Sequence, residues 1–290
     1  MASRASETYK PRRDPELVAA AVEAAQKAKA AHGSEADTYK RSGDRKQYQL
    51  RPPFMRVGAV SQATGSAYVE TDGVKVICGV YGPTSNARAA FSDKGSFSCA
   101  FEFAPFACAH RRTRDDEREE KAISILLQEA VTVSIQLDKF PKSLLTASVV
   151  VLEAGTGYLG ATITCISLAL ADSGVELYDL VASTSVGLIG PSMFVDPSED
   201  EQERDDFSGS VLLACMPSLR QITYINQDGR IDAKLAQDMV QLCSEGCSRI
   251  HELMQKCLVE SLKKEEKPTK PDEKVKKSED TRMDLEGQTA

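Results

Sequence analysis

The residues in this chain best placed to do chemistry are Gly155-Thr156-Gly157. They follow the apolar run Val149 to Leu152 and precede the small-residue segment Tyr158 to Gly174, a pattern that predicts a buried strand, a glycine turn and a helix. Such a turn aims several backbone N–H groups at one point and so makes a ready anion site. A site that holds phosphate ordinarily adds a fixed cation, and Gly157 stands where its side chain would begin. Gly155 and Thr156 therefore read as the remnant of an anion turn, with the charge missing. Glycine turns between strands and helices are common, so a purely structural turn remains the competing reading here.

Three further sets of residues carry possible chemistry. Arg111, Arg112, Arg114 and Arg118 cluster ahead of a helix, and Arg88 lies in the loop after Gly82-Pro83, a distribution suited to contacting the phosphates of a nucleic acid. Five acidic residues interleave with the cluster, so a solvated, charge-balanced helix start competes with that reading. Cys243, Cys247 and His251 share one helical face and could be taken for metal ligands, but tetrahedral zinc needs a fourth and none is evident. No metal and no cofactor are expected. The acidic run from Glu199 to Asp206 reads as a loop that is either solvated or able to meet a basic partner.

The elements that must position these residues are visible as periodicities. Ser66–Thr71 and Val74–Val80 flank Asp72-Gly73 as a hairpin that ends at Gly82-Pro83. Phe97, Cys99, Phe101 and Phe103 alternate with smaller or polar residues as a strand with one buried face. The aromatic run Phe103 to Cys108 could line a dimer contact or lie inside the core. A helix succeeds the charged stretch, its apolar side made by Ile123, Leu126, Leu127, Ala130, Val131 and Val133. Leu144–Leu152 reads as a buried strand and Leu159–Ala171 as a nearly all-apolar helix. In the second half, residues 178–182, 193–196 and 211–216 read as strands, with an acidic loop over 197–209. Arg220–Asn226 should pair through the turn Gln227-Asp228-Gly229 with the chain beyond it, and a long amphipathic helix runs from Ala233 to Leu262.

Composition bounds the rest. With 41% hydrophobic and 27% charged residues the chain suits a globular protein. Its eight cysteines are scattered through apolar runs, which favours reduced core thiols over disulfides. No window reaches the roughly 18 apolar residues of a spanning helix and no signal-like run opens the chain, so no membrane partner and an intracellular site of work are expected. The net charge of −7 is concentrated in the middle, so nucleic acid would be met locally or together with partner chains. One domain is expected over 51–262. It would be flanked by a mostly disordered or loosely helical extension, 1–50, and a disordered charged tail, 263–290.

Over about residues 51–262 the sequence resembles the RNase PH family. The resemblance is carried by Gly58 to Glu70, Val80-Tyr81-Gly82-Pro83, Lys139-Phe140-Pro141-Lys142, Leu168 to Gly174 with Tyr178-Asp179-Leu180, and Cys215-Met216-Pro217. Within the family, Gly58-Ala59-Val60 and Tyr178–Leu180 resemble eukaryotic exosome core ring subunits, above all the one named for messenger-RNA transport defects. The resemblance implies an α/β (α+β) RNase PH-like fold, two stacked β-α passages in one domain. It implies other RNase-PH-like subunits as partners in a hetero-hexameric ring, with cap proteins and single-stranded RNA. Nuclear, nucleolar and cytoplasmic location would follow. Active members are phosphorolytic 3'-5' exoribonucleases, and three of their features are altered here. Gly157 replaces the arginine of their Gly-Thr-Arg motif, Ser210 and Arg204 fall where acidic residues stand, and Arg118-Glu119 replaces an arginine pair. The resemblance thus implies a non-catalytic subunit supporting RNA processing and degradation, or alternatively an exoribonuclease whose site is completed by a partner.

Overall fold

A computed structural model describes residues 41, 45–85, 92–108, 111 and 117–265. Among these residues the hairpin forms as its turn chemistry dictates. β2 (Gly65–Thr71) and β3 (Val74–Ser85) pair antiparallel around Asp72-Gly73, where Gly73 takes a φ of +76°. Glycine reaches this region without steric cost. β1 (Phe54–Val57) adds to β2. β4 (Ser96–Phe103) and β5 (Ser143–Ala154) run parallel, joined by a crossover containing α1 (Glu117–Thr132). The first sheet thus has the order β1-β2-β3-β5-β4.

β5 runs into α2 (Tyr158–Asp172), whose residues from Thr162 to Leu170 are all buried. A helix apolar all round must be covered on every side. α2 meets this need by packing on β2 and β3 of the first sheet and on β6 of a second. That second sheet has the order β7-β6-β8-β9, from β6 (Ala182–Ile189), β7 (Ser192–Val195), β8 (Phe207–Met216) and β9 (Gln221–Gly229). α4 (Ala233–Glu265) covers the far face of β6 and β8, where Met239 and Cys243 pack with Val186, Val211 and Leu213. The expected α/β (α+β) RNase PH-like architecture of two stacked β-α passages is present.

Several expected elements differ. β3 passes through Gly82-Pro83 to Ser85, with its register against β5 shifted between Tyr81 and Thr84, as a proline without an N–H requires. Val133 lies beyond the end of α1 and is 56% exposed. Of the strand expected over 178–182 only Ala182 is in a strand, since β6 begins there and residues 178–181 precede it. The expected acidic loop contains a short helix, α3 (Glu199–Gln202), and the start of β8. β9 pairs with the preceding β8 rather than with the chain beyond Gly229. Leu253, assigned to the buried side of α4, is exposed.

The aromatic alternation of β4 resolves in favour of the core. Phe97, Phe101 and Phe103 are buried, and Phe103 meets Phe101 and Tyr158 at ring-centroid distances of 4.8 and 5.5 Å. Of the run Phe103 to Cys108, Pro105 and Phe106 project, Phe106 with 74% of its surface exposed. At the N-terminal end, Arg41 lies in the expected extension, ahead of the expected domain start, yet only 3% of it is exposed. Arg88, Arg112 and Arg114 lie outside the described residues, as do 1–40 and 266–290.

Candidate anion seat at the start of helix α2

The turn between β5 and α2 is held by two glycines for two different reasons. Gly155 N–H donates to Gly73 O at 2.8 Å, and a β carbon at 155 would lie 2.3 Å from that oxygen, so only glycine permits the β5 end to meet the hairpin turn. Gly157 caps α2 at φ +85°, the left-handed region. Thr156 between them donates its hydroxyl to Gln202 Oε1 at 3.4 Å, which places α3 against the turn.

This turn does have a cation beside it. Arg51 sends its guanidinium across from the segment before β1, and its Nη2 lies 3.3 Å from where a β carbon of residue 157 would stand. All three of its nitrogens are committed. Nη2 donates to Thr156 O at 3.0 Å and Nη1 to Asp72 O at 2.7 Å. Nε and Nη2 grip the Asp196 carboxylate in a two-pronged pair at 2.9 and 2.6 Å, and Arg51 N–H adds a third bond to it at 2.9 Å. Burial alone would push the Arg51 pKa down, but the hydrogen bond and charge of Asp196 outweigh it and the net shift is upward. The guanidinium therefore stays charged and stays occupied.

A second pair braces the same place. Arg41 holds Glu201 through Nε and Nη2 at 2.8 and 2.9 Å, with Glu201 fully buried, and donates also to the carbonyls of Val195 and Asp196. Arg45 donates to Asp196 O at 3.2 Å. Burial would raise the Glu201 pKa; hydrogen bonds from Arg41 and from Ser198 N–H pull it below the ordinary carboxylate value instead. The acidic run is thus neutralised from within at its most buried member. Nothing local in the sequence announces these pairs, whose partners are 145 and 160 positions apart.

The two positions that fall where active members carry acids each have one carboxylate as neighbour: Ser210 lies opposite Asp228 across the β8–β9 pair, and Arg204 is held by Asp206. Ser210 on β8 lies opposite Gly187 of β6, and Leu212, two residues on, lies opposite Ser185. Leu212 Cδ1, Ser183 Oγ and Ser185 Oγ come within 4.0 Å of the β-carbon positions of Gly160 or Gly157. By strand alternation Ser210 shares their face toward α2. Arg204 lies just past α3 and pairs with Asp206 at 3.6 Å. Asp196 Oδ1 lies 3.9 Å from the β-carbon position of Gly157 and is already bound to Arg51.

Cys243, Cys247 and His251 do not converge as ligands. Cys243 and Cys247 donate to the carbonyls of Val211 and Leu213, while His251 Nε2 meets Asp179 Oδ1 at 3.2 Å. Asp179 also accepts from Ser218 N–H and its hydroxyl, tying the segment before β6 to the β8–β9 turn. Burial pushes the Cys99 and Cys243 thiols up to about 12, so they are poor nucleophiles near neutral pH. Among the described residues, no three His, Cys, Asp or Glu side chains are grouped to hold a metal.

The arginine cluster is represented by two described members. Arg111 is exposed, and Arg118 is exposed in the first turn of α1, between Glu117 and Glu119. Glu120 in the same turn accepts from Phe103 N–H at 3.2 Å, fixing the start of α1 to the end of β4.

The fold and this seat define a member of a known class: residues 49–176 match the family model described as 3' exoribonuclease family, domain 1, and the chain belongs to this RNase PH family. Its relatives narrow the class. It is 37% identical over 215 residues to "Exosome complex component RRP41-like" of Arabidopsis thaliana, a match covering 74% of this chain and 82% of that one. It is 34% identical to "Exosome complex component MTR3" of Homo sapiens, covering 79% of this chain and 90% of that one. Rice (Oryza sativa) Rrp46 shares the fold with a TM-score of 0.65 at 19% identity, covering 74% of this chain and 98% of that structure. The Archaeoglobus fulgidus exosome with RNA bound to the active site does so with a TM-score of 0.65 at 16% identity, covering 79% of this chain and 98% of that one. Among the described residues, no helix is long and apolar enough to cross a membrane.

Proposed function

We propose that this chain is a non-catalytic RNase PH-like subunit of the RNA exosome core ring. It supports 3'-5' RNA processing and degradation by building the ring and guiding single-stranded RNA through its channel. The observation that carries the reading is the state of the seat at α2: Gly157 brings no charge, and the guanidinium beside it is held two-pronged by Asp196. Phosphorolysis needs an inorganic phosphate gripped and aimed at the RNA terminus, and positioning with charge supplies most of the rate in phosphoryl transfer. A seat already filled by a carboxylate provides neither.

The ring part of the reading is supported by the names of the relatives and by the apolar surface this chain leaves open. β9 stands at the end of its sheet with Ile222 and Ile225 more than half exposed, and Tyr178 is equally open. An open strand edge with apolar side chains is a surface a neighbouring subunit covers. Other RNase-PH-like chains in a hetero-hexamer, with cap proteins above the channel, are the partners, and nucleus, nucleolus and cytoplasm are the places of work. Arg111 and Arg118, with Arg88, Arg112 and Arg114, are the RNA-guiding side chains. The test is incubation of the purified chain with RNA, magnesium and phosphate: no nucleoside diphosphate is released, and phosphate-dependent trimming refutes the reading.

The alternative, a phosphorolytic exoribonuclease completed by a partner, is favoured by one observation: Arg118 is exposed at the start of α1, open to a neighbour's site. It predicts that adding a sister subunit creates activity that Thr156→Ala or Arg118→Ala abolishes.

A further inference from the structure

Between α4 and the segment leading into β1 lies a surface groove of about 680 Å³, lined among others by Lys46, Tyr48, Leu50, Pro53, Arg249 and Leu253. The lining is apolar and basic. None of its described residues is acidic, although the chain as a whole carries a net charge of −7. Leu253 is exposed in the groove, and so is Phe54, the residue after Pro53. Arg249 donates to Tyr48 O at 3.3 Å, which fixes the guanidinium at the rim. Neither it nor Lys46 pairs with a carboxylate among the described residues. Exposed apolar surface beside unmatched cations suits an acidic segment that carries apolar side chains.

We propose that residues 278–286 of this same chain dock in the groove, with Met283 and Leu285 on its apolar lining and Asp284 and Glu286 toward Lys46 and Arg249. Charge selects this segment. Residues 263–277 hold seven lysines against four acids, whereas 278–286 hold Glu279, Asp280, Asp284 and Glu286 against Arg282 alone, so the acidic charge is gathered where the apolar pair lies. Met283 and Leu285, two positions apart, share one face of an extended chain. Reach allows the contact. Leu253 lies about 18 Å before Glu265 along α4, and the chain from Glu265 to Met283 spans up to about 60 Å when extended. A tethered segment meets its site at an effective concentration on the order of millimolar, which favours it over a free partner of similar affinity. Docking there is independent of whether the chain trims RNA.

The sequence holds no tryptophan, so Met283→Trp in the full chain makes a lone fluorescent reporter. Its emission is expected to be blue-shifted from that of the same chain in denaturant, by an amount that does not change with protein concentration. Added salt should reduce the shift. Lys46→Glu with Arg249→Glu should abolish it, as should Asp284→Lys with Glu286→Lys, and the four changes together should restore it. The tail reversal alters none of the described residues and carries the test if the groove reversal folds poorly, which the unfolding midpoint reads. Solvent-like emission in the chain without charge reversals overturns the proposal and leaves the groove to a partner protein. A shift that survives either reversal in a folded chain, or fails to return in the folded fourfold variant, overturns it as well. So does a shift that grows with protein concentration, which assigns the groove to a second copy.

Discussion

The starts of helices α2 and α1 both gather arginines, and they dispose of the charge in opposite ways. At α2 the guanidiniums of Arg41 and Arg51 are buried and bound to Glu201 and Asp196 of the same chain. At α1, Arg118 lies exposed between the exposed Glu117 and Glu119, and Arg111, ahead of the helix in sequence, is exposed as well. A buried charge without a partner costs several kcal/mol, so the fold had to neutralise the first group internally, and that makes it unavailable to phosphate. An exposed charge is well solvated and can exchange water for the phosphates of a polyanion. Having arginine near an anion turn is therefore not the same as having it free.

Breaking the buried group should have the largest effect. Glu201→Ala leaves Arg41 without its partner in the interior and is expected to cost about 3 to 5 kcal/mol, read as a lower denaturant midpoint. Arg51→Ala should cost somewhat less, about 2 to 4 kcal/mol, because Asp196 retains partial access to water. A milder effect is expected from pH. Glu201 has a folded-state pKa below the ordinary value, so the pair's stabilisation is complete above the ordinary carboxyl range and is lost as pH falls through the depressed value. The unfolding midpoint should hold from neutrality to about pH 5 and drop below it, and Glu201→Gln should flatten that drop. The smallest effect on stability belongs to the exposed group. Arg111→Ala and Arg118→Ala should leave the unfolding midpoint unchanged. In the assembled ring they should weaken RNA binding and lower its salt slope by about one per lost phosphate contact. Unchanged RNA affinity there would remove the guiding role from this region.

What is legible in the sequence is local. The alternation from Phe97 to Phe103, the Asp72-Gly73 turn and the unbroken apolarity of α2 each specify an element within a dozen residues, and each forms accordingly. β6 escapes such a reading because both its faces are buried and its residues are small and hydroxylated, Ala182-Ser-Thr-Ser-Val-Gly, which masks the period of a strand. The pairing of β9 is equally hidden, because its mostly exposed face gives little pattern from which to read register. At the seat, Gly155, Thr156 and Gly157 are readable, whereas Arg51 and Asp196 are not. The nearest hint is a carboxylate closing the apolar run Met193-Phe194-Val195, a place where a charge needs an explanation. Its partner 145 positions away carries no local mark, since long-range ion pairs are fixed by topology and not by spacing.

The most direct measurement is phosphate-dependent release of nucleoside diphosphate from the 3' end of an RNA by the purified chain in magnesium. The occupied seat predicts none above background, while nucleoside diphosphate that accumulates with phosphate and disappears on Thr156→Ala would contradict it.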